Sequence, residues 1–204
     1  VIDPTTNTTS LFGSFAGSEK WYGAVLAPNG LIYCIPANST QILVIDPTTN
    51  TTSLFGSFAG AYKWVGAVLA QNGKIYCVPS SSTQILVIDP TTNTTSLFGN
   101  FVGNGKWGGA VLAPNGKIYC IPSRSVNGLI IDPATNTTSL FGNFTGNIWF
   151  GGTISQTGKI FGVPFTNSPI LMIDLKKQLN PTDFNIPMMS DLSTSNYNKY
   201  FNKF

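Results

Sequence analysis

The chain has 204 residues, of which 42% are apolar and only 9% are charged. A chain of this length can bury a core within one domain, whereas soluble domains usually carry about a quarter charged residues. The net charge of +3 is spread along the sequence without a basic cluster, so nucleic-acid binding, which needs concentrated Lys or Arg, is not expected. No apolar stretch approaches the length of a membrane span, so no membrane span is expected.

The sequence repeats itself at a constant interval. The phrase D-P-[TA]-T-N-T-T-S-L-F-G begins at Asp3, Asp46, Asp89 and Asp132, always 43 residues apart. A period of about 40 to 50 residues is the length of one small supersecondary unit. The repeat therefore predicts an array of similar units.

Taken in chain order, the second unit contains four short segments rich in Val, Ile, Tyr and Phe, as β-strands are. Asn72-Gly73 joins the first two, because this pair accepts the positive φ angles of a tight hairpin. Asp89-Pro90 opens the turn between the last two, and its carboxylate can accept nearby backbone N–H groups. No segment has helical periodicity over the length that a helix needs. The predicted strands are 66–70, 74–78, 84–88 and 94–98.

Four strands in each 43-residue unit, connected as a meander, predict the blade of a β-propeller. The first strand of each unit begins with the smallest residues, which suits the innermost strand, where blades converge on the axis. These pairs are Gly23-Ala24, Gly66-Ala67, Gly109-Ala110 and Gly151-Gly152. The predicted fold class is all-β, a propeller of four-stranded blades with about four and a half blades present.

The repeats resemble the YVTN-type propeller repeats, whose phrase V-I-D-P-A-T-N-T is matched by residues 131–137. The resemblance covers roughly residues 1–174 and implies the propeller fold. It implies little about activity, because the phrase is a turn signature that propellers of unrelated function share.

Residues 1–179 are predicted to form the blades: a half-blade over 1–13, then blades that start at residues 21, 64, 107 and 149. The last copy is diverged, since one residue is lost before Trp149 and Gly162 replaces a Cys. The chain begins at Val1, without a Met or a signal peptide. Because four and a half blades do not close a ring, we expect either part of a propeller of roughly six to eight blades or a neighbouring subunit that supplies the missing edge.

Residues 180–204 leave the repeat and form a predicted C-terminal tail. The tail is rich in Asn, Ser and Asp and ends in an aromatic run. We expect it to pack against a propeller surface, its own or a neighbour's, since these side chains are apolar. They are Tyr197, Tyr200, Phe201 and Phe204.

Catalytic and metal chemistry find little support in the residue types. The chain has no His, which removes the commonest general base, and five of its eight acids are the repeated turn Asp. Cys34, Cys77 and Cys120 occupy one position in three blades, too far apart for disulfides, and are predicted to be small buried residues. No catalytic residue, metal or cofactor is therefore expected.

Two sets of residues are candidate sites. A Trp in every unit, preceded by a Lys in three, either packs between blades or stacks on a sugar as in propeller lectins; this set is Lys20, Trp21, Lys63, Trp64, Lys106, Trp107 and Trp149. Six N-x-[S/T] sequons are either turn residues or glycosylation sites; they are Asn7, Asn38, Asn50, Asn93, Asn136 and Asn143.

The function predicted from these observations is a non-catalytic structural or interaction propeller. We expect it to be extracellular or on a particle surface, and to assemble with its own copies or with other protein subunits. The alternative is a carbohydrate-binding propeller that uses one Trp per blade.

Overall fold

The structure is a computed structural model, and it describes residues 1–176. It contains five antiparallel sheets, each a meander in chain order. Residues 1–20 hold a partial unit with strands β1 (Ile2–Asp3) and β2 (Thr8–Thr9). The predicted tail, residues 180–204, lies outside the described residues.

Four larger sheets follow, and we number them as blades 1 to 4. Blade 1 comprises β3 (Trp21–Leu26), β4 (Ile32–Pro36), β5 (Ile42–Asp46) and β6 (Thr51–Phe55). Blade 2 comprises β7 (Trp64–Leu69), β8 (Ile75–Pro79), β9 (Ile85–Asp89) and β10 (Thr94–Phe98). Blade 3 comprises β11 (Trp107–Leu112), β12 (Ile118–Pro122), β13 (Gly128–Asp132) and β14 (Thr137–Phe141). Blade 4 comprises β15 (Trp149–Ile154), β16 (Lys159–Pro164) and β17 (Leu171–Asp174).

The predicted all-β propeller fold is confirmed, including its four-stranded blades and the count of about four and a half. The first strand of blade 2 starts two residues earlier than predicted, at Trp64. Trp64 pairs with Pro79 while Ala67 pairs with Cys77, so the inner strand contains one extra residue, a β-bulge. Because of the bulge, the strand begins before Gly66, where the sequence pattern had placed its start.

The inner strands contact one another in chain order, β3 with β7, β7 with β11 and β11 with β15. Glycines allow this close approach. A Cβ on Gly23 would lie 3.2 Å from the Cα of Gly66, and one on Gly109 would lie 2.9 Å from the Cα of Gly151. The predicted convergence of small residues on the axis is confirmed.

The core lies between blades. Tyr33 and Ile35 of blade 1 share one apolar cluster with Trp64, Cys77 and Ile88 of blade 2, and the two later blade junctions have similar clusters. The side chains of these clusters are thus removed from water by the neighbouring blade, which is the main favourable contribution to folding.

A tyrosine fixes blade 1 to the outer turn of blade 2, and an equivalent tyrosine fixes blade 2 to that of blade 3. The Tyr33 hydroxyl lies 2.7 Å from Asn93 Oδ1 and 3.3 Å from Pro90 O. The Tyr76 hydroxyl lies 2.8 Å from Asn136 Oδ1 and makes the equivalent contact with the Pro133 carbonyl. These buried hydroxyls set the register of one blade against the next.

Candidate functional site

The indoles pack between blades. Trp64 and Trp107 are each 2% exposed and Trp149 is fully buried, whereas Trp21 is half-buried. Each ring meets a Phe from the preceding unit edge to face; for Phe58 and Trp64 the ring centres are 5.2 Å apart. The indole N–H groups donate to backbone carbonyls, that of Trp64 to Gln84 O at 2.8 Å. Burial of this kind is what interface packing requires, and it leaves no ring face of the three buried indoles open to a sugar.

Lys63 and Lys106 donate hydrogen bonds to backbone carbonyls of the same chain. Lys63 Nζ donates to three carbonyl oxygens, those of Ala37 at 2.7 Å, Ser39 at 2.8 Å and Gly60 at 2.8 Å. Lys106 makes the same three contacts one repeat later. Both side chains are buried, and burial lowers the pKa of each ammonium. They join adjacent blades, because two of the three carbonyls belong to the preceding blade.

The repeated turn aspartates also have structural partners. Asp89 Oδ1 accepts from Thr91 N at 3.0 Å, as the sequence predicted, and Asp89 Oδ2 pairs with Lys74 Nζ at 3.1 Å. The Lys74 hydrogen bond lowers the pKa of this carboxyl. Equivalent ion pairs join Lys117 to Asp132 and Lys159 to Asp174.

The remaining predicted residues are placed as follows. Cys34, Cys77 and Cys120 are buried free thiols, as predicted, and no group of three or more metal-ligating side chains forms within residues 1–176. Asn7, Asn50, Asn93 and Asn136 have φ between 52° and 56° on exposed turns, a conformation that Asn tolerates. Asn143 is exposed and Asn38 half-buried. Glycan attachment at these six stays a prediction.

The two ends of the blades differ in how constant they are between repeats. The turn face contains the Asn-Gly hairpins and the Asp-Pro turns, and the phrase D-P-T-T-N-T-T-S-L-F-G is identical in three copies. The opposite end, which we call the loop face, contains the connections between blades and the loops after the second strands. Here equivalent positions carry different residues: Glu19, Tyr62, Gly105 and Asn147 in one series, and Tyr22, Val65, Gly108 and Phe150 in another.

Three of these variable residues meet on the loop face. The Tyr62 hydroxyl donates to Glu19 Oε2, and the Tyr22 hydroxyl lies 3.5 Å from Glu19 Oε1. Asn38 Oδ1 accepts from Tyr62 N at 2.8 Å and so fixes the loop that bears this phenol. Glu19 and Tyr62 are exposed and Tyr22 is half-buried. The hydrogen bond to Glu19, together with its negative charge, raises the pKa of Tyr62.

Glu19 and Tyr62 both have a left-handed backbone, with φ of 50° and 49°. This conformation is uncommon for residues other than glycine, and the third copy has Gly105 at the same position. Glu19 and Tyr62 thus occupy backbone positions that glycine would adopt more easily, and their side chains contact each other there. A backbone outlier of this kind motivates a hypothesis of function.

The loop face continues past this cluster. A cleft of about 410 Å³ is lined by residues 57–61 and 81–83 together with Lys63, Trp64 and Leu97, so it includes both chain neighbours of Tyr62. On blade 3, Arg124 covers Gly105 and is exposed. On blade 4, the rings of Phe150 and Phe165 lie 5.6 Å apart and are both exposed. The face therefore presents a carboxylate, phenols, a guanidinium and an aromatic pair on successive blades.

Sequence reasoning missed the Glu19, Tyr22 and Tyr62 cluster, because it examined what the repeats share. The available signal was the opposite one, the positions where near-identical copies differ in chemistry. Among residues 1–176, Glu19 is the one acid outside the repeated turn. That Glu19 and Tyr62, 43 residues apart, touch follows only from the packing of one blade beside the next.

No protein-family model and no curated protein sequence matches this chain. Solved structures do share its fold. Virginiamycin B lyase from Staphylococcus aureus has a TM-score of 0.69 at 11% identity, over 88% of this chain and 64% of that one. A catalytically inactive histidine-to-alanine form of that lyase with quinupristin has a TM-score of 0.65 at 12% identity, over 81% of this chain and 57% of that one.

Two further structures come from Bacteroides species. An auxiliary nutrient binding protein from Bacteroides ovatus has a TM-score of 0.57 at 17% identity, over 76% of this chain and 38% of that one. The extracellular domain of a one component system from B. thetaiotaomicron has a TM-score of 0.56 at 12% identity, over 69% and 19% of the two chains. At these identities the likeness establishes the β-propeller fold.

The comparison corrects two predictions. A non-catalytic structural role, and with it the exclusion of an enzyme, was inferred from repeat architecture and residue types, and this inference is wrong because structures of this same architecture include a lyase. The same architecture therefore serves enzymes and binding proteins alike. Residues 1–176 contain no helix long and apolar enough to cross a membrane.

Proposed function

We propose that this chain forms part of a β-propeller that binds a small cationic ligand on its loop face, at Glu19, Tyr22 and Tyr62. The observation that supports the proposal best is the contact between the Tyr62 phenol and the Glu19 carboxylate. This contact lies on the loop face, where the repeats differ in sequence, whereas the repeated Trp, Lys and Asp residues make structural contacts.

The chemistry of the cluster favours an organic ammonium group. A carboxylate attracts the positive charge, and phenol rings bind cations through their faces. The cleft of about 410 Å³ on the same face, lined by Ala61 and Lys63 on either side of Tyr62 in the chain, has room for the remainder of a small ligand. An enzyme built on this site would use Glu19 as the proton acceptor, because the chain has no His and the other described acids are held in the repeated turns.

The test is a titration of the protein with choline, followed by amide and side-chain NMR shifts. We expect shifts confined to the loop face, and a dissociation constant that rises several-fold in Glu19→Gln and in the double variant Tyr22→Leu, Tyr62→Leu, which removes both ring faces. The matched control is Asp46→Asn, which makes the same charge change on the turn face and keeps a side-chain acceptor for Thr48 N. Shifts that map to the turn face, or that persist in Glu19→Gln, contradict the proposal.

We further propose that the protein acts outside the cell. The low charge, the exposed turn sequons and the similarity in fold to an extracellular domain support this location. Glycans on Asn7, Asn50, Asn93 and Asn136 would raise the mass of native material above that of the polypeptide, and native material of bare polypeptide mass would remove the main argument for secretion. We also propose that the repeats are of the YVTN type and that the protein associates with other subunits.

A further inference from the structure

Arg124 is the only arginine of the chain, and its side chain occupies space on the loop face that a glycine leaves open. A Cβ on Gly105 would lie 3.0 Å from Arg124 Cδ and 3.4 Å from Arg124 Nε. In the two preceding copies the position of Gly105 carries Glu19 and Tyr62. The third copy thus replaces the acid and the phenol of this series with a guanidinium.

Backbone hydrogen bonds give Arg124 the place in blade 3 that Ser81 has in blade 2. Arg124 N donates to Gly105 O at 2.9 Å, and Ser81 N donates to Tyr62 O at 3.0 Å. The residue that follows Gly105 is hydrogen-bonded in turn to the residue that precedes Ser81. Arg124 therefore lies one blade beyond Tyr62 in the same row of loops.

The Arg124 guanidinium has no carboxylate partner among residues 1–176. Each ion pair found there joins a lysine to a turn aspartate, and the Glu19 carboxylate contacts two phenols. Arg124 is exposed, so its side chain is accessible to a ligand. A guanidinium binds a carboxylate particularly well, because two parallel N–H groups match its two oxygens.

The cleft of about 410 Å³ belongs to blade 2, in the middle of this row. The hydroxyl-bearing residues Ser57, Ser81 and Thr83 line it together with the apolar Phe58 and Leu97. Hydroxyls can donate to a carbonyl and accept from an N–H group. The cleft therefore suits a molecule that has peptide groups and little bulk.

The distance between the two charged groups limits the length of such a molecule. Glu19 precedes blade 1 while its carboxylate reaches Tyr62 of blade 2, and Arg124 belongs to blade 3. Sheets that pack face to face lie about 10 Å apart, so the carboxylate and the guanidinium are separated by about 10–20 Å. An extended chain covers about 3.4 Å per residue, so roughly three to five residues match this separation.

We propose that the ligand of the loop face is a linear peptide of roughly three to five residues with both termini free. This inference rests on the proposed function, because the N-terminal ammonium of the peptide is the cation that binds Glu19, Tyr22 and Tyr62. The C-terminal carboxylate binds Arg124, and the backbone between the two termini lies along the cleft. Arg124 is thus the residue that distinguishes a peptide from a simple cation.

The full chain is titrated with tetraglycine, tetraglycine amide and N-acetyl-tetraglycine, and the dissociation constants are measured from NMR shifts. Tetraglycine should bind about three- to tenfold more tightly than either blocked peptide, because each blocked peptide loses one charged contact. Arg124→Met should abolish the preference over the amide, and Glu19→Gln should abolish the preference over the N-acetyl peptide. Lys117→Met, which makes the same charge change on the turn face, should keep both preferences.

The peptide groups are tested separately from the charges. An ω-amino fatty acid of the same span as tetraglycine has both charges and no peptide groups, so it should bind more weakly. Equal affinity for this compound and tetraglycine would exclude a peptide ligand.

The outcomes also separate this inference from the proposed function. If Glu19→Gln weakens choline binding while tetraglycine and its amide bind equally well, the cation site is correct and the peptide ligand is wrong. If Arg124→Met and Lys117→Met have the same effect on tetraglycine binding, Arg124 does not bind the carboxylate and the inference is overturned. If Glu19→Gln leaves the affinity for choline unchanged, the proposed function itself is wrong and the peptide ligand is excluded with it.

Discussion

Removal of one buried indole tests whether the Trp series holds the blades together. Trp64 is 2% exposed, its ring packs against Phe58, and its Nε1 donates to Gln84 O at 2.8 Å. Trp64→Ala should lower the free energy of unfolding by about 3–5 kcal/mol, the usual range for truncating a large buried aromatic. The Gln84 carbonyl also loses its donor, which favours the upper part of this range.

The chain contains a matched control. Trp21 occupies the same position in blade 1, makes the same contacts with Phe15 and Gln41, and is only half-buried. Less apolar surface is lost to water when Trp21 is truncated, so Trp21→Ala should cost clearly less than Trp64→Ala.

Both variants are measured by urea denaturation, followed by circular dichroism so that the readout does not depend on the indole removed. Equal costs for the two variants, or a cost below about 1 kcal/mol for Trp64→Ala, would refute the argument that burial between blades determines the effect.

Three further outcomes are expected. Tyr76→Phe removes the hydroxyl that joins blade 2 to blade 3 and should lower the free energy of unfolding by about 1 kcal/mol in thermal denaturation; no change would remove the inter-blade role. Lys106→Met leaves three carbonyls without their donor and should cost about 3 kcal/mol. Lys117→Met, at a half-buried surface ion pair, should cost no more than about 1 kcal/mol. The raised pKa of Tyr62 means that the folded protein holds this proton more tightly than the unfolded chain does, so the stabilisation is present below the unfolded pKa and is lost as the pH rises through the folded pKa. In an absorbance titration, one phenol of Glu19→Gln should therefore titrate at a lower pH than in the native protein. Identical titration curves for the two proteins would contradict the contact.

Much of the fold is predictable from the sequence, because the repeat confines the problem to 43 residues. Strand alternation, the Asn72-Gly73 hairpin and the Asp89-Pro90 turn are local signals, and each depends on residues within a few positions of one another. The same is true of the glycines on the axis, whose small size suits only the innermost strand. The sequence therefore determined the strands, their order and the propeller class.

The tertiary structure decided the role of each polar and aromatic residue. Lys63 and Trp64 resembled a binding element in the sequence, yet contacts with the preceding blade bury them both. Glu19 and Tyr62 belong to different repeats, and no pattern within one repeat relates them. They meet because consecutive blades pack side by side, which brings equivalent loops together across 43 residues of chain, and this long-range contact is a property of the packed array alone.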